Sequence, residues 1–262
     1  MKKYLAIAAA VALAGLTRAE ITPMDGDNDV GFLSLTVPTG SCSVVVSVPF
    51  EKCLGSGEAG MLADLVSTNL LVGSNSDPAE ADQIVALTTN AAGELLYYYY
   101  WLKNGAGWTT SVTTRINADP TNVVPPAADA FPVARGLGFW LKRPAGSAVA
   151  GVYLKGQVST VSSPLTLKPG LTLIGLGVFT TTSINSSSIG WGTRNPGSGL
   201  TGMDKLYLIN NGTDLAEYKY NGTSQKWVDN DWGATEAGVA AGEGFWYLRR
   251  GSQDLTFTPV TP

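Results

Sequence analysis

Histidine is absent from this 262-residue chain, and cysteine occurs only twice. Without an imidazole there can be no Ser-His-Asp or Cys-His arrangement, and two cysteines are too few ligands for a zinc site. Charge is scarce at 15% of residues and acidic on balance at −4, which argues against a polyanion such as nucleic acid as partner. No apolar run beyond the N-terminal segment is long enough to span a bilayer, so no transmembrane segment is expected in the mature chain. A phosphate-binding loop is missing as well, because Gly136-Leu137-Gly138 runs into Phe139 and Trp140 and not into a helix start.

Residues 1–19 read as a secretory signal peptide. Lys2 and Lys3 supply the charged start, residues 5–16 an apolar run, and Thr17-Arg18-Ala19 a cleavage site, although a cut after Ala14 also fits. Removing residues 1–19 takes away Lys2, Lys3 and Arg18, so 17 basic residues become 14 against 21 acids and the net charge falls from −4 to −7. The mature protein is expected to be exported: extracellular, on the cell surface or periplasmic. In that setting Cys42 and Cys53 are expected to form a disulfide, which the chain-entropy account credits with about 2–3 kcal/mol. Asp25, Asp27 and Asp29 place oxygens at alternate positions as calcium loops do, yet no Glu stands at the twelfth position, and a solvated linker is the alternative. No other cofactor is expected.

Glycine is abundant at 31 residues, and short Thr-, Ser- and Val-rich runs alternate with turn residues, so the fold class is all-β. Gly136-Leu137-Gly138-Phe139-Trp140 recurs as Gly242-Glu243-Gly244-Phe245-Trp246, and bases follow each copy closely. Upstream, Asp82 and Asp204 each open an apolar strand. Tyr99-Tyr100-Trp101 with Trp108 matches Tyr218-Lys219-Tyr220 with Trp227 at the same spacing of nine. This layout implies two tandem related β units, sandwich- or barrel-like, over residues 20–161 and 162–262. Unit one carries the longer loop before its glycine motif. Alternating glycines clear one strand face for close approach of a ring or another backbone, while Phe and Trp point to opposite faces.

Several local elements follow. Val30–Val37 and residues 43–48 read as strands of one hairpin turned at Pro38-Thr39-Gly40. Residues 61–66 and 69–73 read as a second hairpin, with a short helix over 61–66 as the alternative. Asn104-Gly105 and Asn221-Gly222 suggest two-residue type I′ turns. Asn185, Asn211 and Asn221 match the N-glycosylation acceptor pattern but are read as turn residues.

Tyr97, Tyr98, Tyr99 and Tyr100 cannot all face inward on a strand, so with Trp101 and Trp108 they form the candidate binding surface. Stacking on a glycan, contact with a protein partner, and tyrosines bridging the two faces of a sandwich all remain open. Glu94 or Glu217 with Asp82 or Asp204 could serve as the carboxylate pair of a glycoside hydrolase, although aspartates at strand starts more often cap turns.

Asp29-Val30-Gly31-Phe32, the strand end Val46-Ser47-Val48-Pro49-Phe50 and the late Gly-x-Gly-Phe-Trp resemble a family of exported β-rich proteins of verrucomicrobial type. The resemblance implies export and β structure, and no activity. The cysteine pair is not part of it. The leading expectation is a non-catalytic exported structural or interaction protein that associates with itself or another protein. A carbohydrate-binding protein is second and a glycoside hydrolase third.

Overall fold

The computed structural model describes residues 19–22, 30–37, 43–53, 62–64, 71–89, 95–115, 125–133, 135–148, 150–158, 163–197, 201–210 and 214–260. The protein is all-β, and its sheets are antiparallel. Residues 1–18 of the expected signal, the Asp25, Asp27 and Asp29 loop, Cys42, Glu94 and Asn211 lie outside the described residues. The Cys42–Cys53 bridge is therefore not shown, and Cys53 ends a short strand. No helix among the described residues is long and apolar enough to cross a membrane.

The first sheet joins β1 (Ala19–Thr22), β2 (Val30–Val37), β9 (Ala150–Gln157) and β4 (Lys52–Cys53) in that order. The second has the order β3 (Ser43–Ser47), β8 (Gly138–Lys142), β5 (Gln83–Thr89), β6 (Leu95–Lys103) and β7 (Gly107–Arg115). A third has the order β11 (Gly170–Gly175), β17 (Gly244–Arg249), β13 (Lys205–Asn210), β14 (Asp214–Asn221) and β15 (Lys226–Val228). Two ribbons complete the described sheets: β10 (Leu165–Leu167) with β18 (Leu255–Phe257), and β12 (Thr182–Ser183) with β16 (Gly238–Val239). No described sheet mixes strands from the two halves of the chain, and none closes into a barrel. The division expected at 161/162 falls outside the described residues.

Strand alternation sorts the apolar side chains into three cores. On the inner face of the second sheet, Val46, Ile84, Ala86, Tyr100, Phe139 and Leu141 pack with Leu33 and Leu154 of the first sheet. The third sheet buries Ile174, Leu206, Leu208, Phe245 and Tyr247 against Leu167, Leu255 and Phe257 of the β10–β18 ribbon. Residues one step along the same strands, among them Val45, Val85, Trp140, Leu173, Ile209 and Trp246, form a middle core that joins the two five-stranded sheets.

Three local expectations are corrected. β2 and β3 are not a hairpin, because β2 pairs with β1 and β9 while β3 pairs with β8 in a different sheet. The turn signal between them specifies a reversal but not a partner. The described residues of 61–73 hold no hairpin: Leu62–Asp64 is a 3-10 turn whose Leu62 is buried, and the next residue, Ser74, bridges β6 at Lys103. The Asn-Gly turns are not two-residue turns either. Lys103 pairs with Gly107 around three residues, with φ +74° at Gly105 and Gly107, and Asn221 pairs with Lys226 around four. Asn221 Oδ1 accepts the N–H groups of Thr223 and Ser224 at 2.9 and 3.2 Å, so the side chain closes the second turn itself.

The extra residue in the second turn shifts the hairpin alignment by one. Leu102 pairs with Trp108 and Tyr220 with Trp227, so Tyr218 answers to Tyr100 and not to Tyr99.

Candidate functional site

Both glycine motifs meet at the seam between the five-stranded sheets. Their first glycines, Gly136 and Gly242, have φ of +81° and +71°, where any side chain would be strained. The contacts across the seam are reciprocal. Ser47 N–H donates to Gly242 O at 2.8 Å and Gly175 N–H to Gly136 O at 2.9 Å, while Val46 bridges Glu243 and Leu137 bridges Ile174.

The second glycines permit this approach. A Cβ on Gly138 would lie 2.9 Å from the Leu173 carbonyl carbon, and one on Gly244 would lie 2.6 Å from a Val45 methyl. Phe139 and Phe245 enter the two outer cores, and Trp140 and Trp246 meet edge to face at 5.2 Å in the middle core. The motif is thus a seam between sheets.

The aspartates and the trailing bases prove to be partners. Asp82 Oδ1 accepts Arg143 Nε at 3.0 Å, and Asp204 Oδ2 accepts Arg249 Nη1 at 2.6 Å, all four side chains being buried. Each aspartate also pins a distant loop and the hairpin. Asp82 takes the Val72 N–H on Oδ2 at 2.7 Å and the Leu102 N–H on its backbone oxygen at 2.9 Å. Asp204 takes the Asn195 and Tyr220 N–H groups in the same way, at 2.9 and 3.0 Å.

The second cluster has two more donors, Tyr247 OH at 2.8 Å and Arg250 N–H at 2.7 Å. Leu141 and Pro144 occupy the matching places in the first, where a leucine side chain and a proline nitrogen have no proton to donate. Burial holds the Asp82 carboxyl above the usual carboxylate range, offset by the Val72 N–H and Arg143. Burial beside Asp204 pushes the Tyr247 hydroxyl well up.

The aromatic hairpin is mostly interior. Tyr97, Tyr100, Trp101 and Trp108 are buried, and Tyr98 and Tyr99 are half-buried, so the six residues do not form the exposed surface expected of them. Tyr100 and Tyr98 meet Phe131 edge-on at 5.9 and 6.0 Å, and Tyr97 stacks on Trp140 at 5.7 Å. Burial raises the Tyr97 hydroxyl to about 12. Within the described part of the longer loop before the first glycine motif, Ala128, Phe131 and Val133 join the core.

Glu217, the other hydrolase carboxylate in view, is held by Lys205 at 2.9 Å and Lys219 at 3.5 Å. No group of three or more metal-ligating side chains occurs among the described residues. Asn185 bridges Trp227 and Thr235 through both side-chain atoms.

Sequence reasoning missed Arg143 and Arg249 as partners, although Asp82, Asp204 and both basic runs stand out in the chain. The signal was the constant spacing of three from Trp to Arg. It also missed Arg135, a buried cation at the seam that donates to Gly177 O at 3.2 and 3.0 Å. Burial pushes the Arg135 guanidinium down, and the Glu51 carboxylate opposes this. No protein family, curated protein or solved structure matches the chain.

Proposed function

We propose that the protein is an exported, non-catalytic structural or interaction component of the cell surface or an extracellular assembly, built by duplication of one β unit and associating with a second copy of itself. The observation that carries this reading is β7. It is nine residues long, lies at the edge of its sheet, and pairs only with β6 among the described residues. A long edge strand offers a row of backbone donors and acceptors to another strand, whereas the matching β15 has only three residues. The use of Asp82, Asp204 and Glu217 in internal ion pairs supports the non-catalytic part of the reading.

Light scattering of the mature chain over a range of concentrations tests it. The mass should rise with concentration, and Thr109→Lys, on the strand face opposite the Tyr100 core, should keep the chain monomeric. A monomer at every concentration would remove the assembly reading.

A further inference from the structure

Trp232 is an exposed large aromatic, at 47% relative exposure, and its φ is +63°. A bulky residue in the left-handed region is strained, and glycine or asparagine would serve the turn better. Half-exposed, the indole also recovers little hydrophobic stabilisation. The fold gains little from tryptophan here.

The loop that presents it is tied down. Val228 bridges Ala234, and Asp229 N–H donates to Gly233 O at 3.1 Å. Asp229 Oδ1 accepts the Asp231 and Gly233 N–H groups, both at 2.9 Å. Asn230 Oδ1 accepts Lys219 Nζ at 2.7 Å. The indole is therefore held out on a preorganised support, with Asp231 exposed beside it.

We propose that Trp232 is a stacking platform for a neutral pyranose ring, with the adjoining carboxylates accepting its hydroxyls. The C–H face of a pyranose is weakly positive and suits the negative face of an indole. A protein partner would need a wider apolar patch, and the other exposed large hydrophobic among the described residues is Val72, in the other half of the chain. Asp229 and Asp231, in a chain of net negative charge, disfavour an anionic glycan. This site is separate from the β7 edge, so either reading can fail alone.

The test is a titration of the mature chain with cellohexaose, followed by the indole N–H signals in NMR, with Trp232 assigned from Trp232→Phe. The Trp232 signal should move with cellohexaose and not with a heparin-derived hexasaccharide. Trp232→Gly, which relieves the φ strain and keeps the fold, should weaken binding by about tenfold or more. A Trp232 signal unmoved by cellohexaose at millimolar concentration, one moved only by the anionic sugar, or equal affinity in Trp232→Gly would each overturn the proposal.

Discussion

The two five-stranded sheets share one strand order and one Asp–Arg clamp, yet they fill their outer cores from different connections. In the second half Trp191, from the segment between β11 and β13, contacts Trp227, Phe245, Tyr247 and Phe257. In the first half Phe131 enters from the segment between β7 and β8. The strand ladder and its clamp are thus the common frame, and the ring that fills each outer core comes from a different connection. The faces of β6 and β14 turned away from the outer cores diverge too, with Tyr99 and Trp101 on one and the Glu217–Lys219 pair at the matching places on the other.

The largest expected effect separates the two clamps. Asp204→Ala strands Arg249 and Tyr247 and should cost about 5 kcal/mol, against about 3 kcal/mol for Asp82→Ala, as read from urea unfolding. Equal losses would mean that Tyr247 and the Arg250 N–H add nothing.

Next comes a seam position where the two halves cannot both carry a side chain. Ser47 and Gly175 are equivalent and face each other, and a Cβ on Gly175 would lie 2.1 Å from that of Ser47. Gly175→Ala should cost about 3 kcal/mol, and adding Ser47→Gly should recover part of it. No recovery would show that Glu243 O, 2.8 Å away, is the obstacle.

Trp140 and Trp246 test the seam through a double-mutant cycle, with a coupling of about 1 kcal/mol between their alanine variants. Additive losses would mean that the two rings act independently.

The smallest effect is in pH. The folded-state pKa of Asp82 is raised, so the folded state binds a proton more readily than the unfolded chain between 3.8 and that raised pKa. The stability of the wild type relative to Asp82→Asn should therefore increase as pH falls through that window. A difference that shrinks on acidification would reverse the sign.

Much of the frame was legible because strand alternation and glycine spacing are local. The repeated motif, the opposite faces of Phe and Trp, and the strand starts at Asp82 and Asp204 all follow from periodicity. The partner of each aspartate was not legible, since 61 residues separate Asp82 from Arg143 and 45 separate Asp204 from Arg249. Nor was the burial of Trp101 and Trp108, which depends on what packs over the hairpin.

The amino-acid sequence alone determined the all-β class and the repeated motif, because both rest on spacing along the chain. Only the tertiary structure decided that the motif is a seam, that its bases close on the aspartates, and that Trp232 stands in solvent. Those depend on which strands become neighbours, and non-local pairing leaves no periodic mark in the sequence.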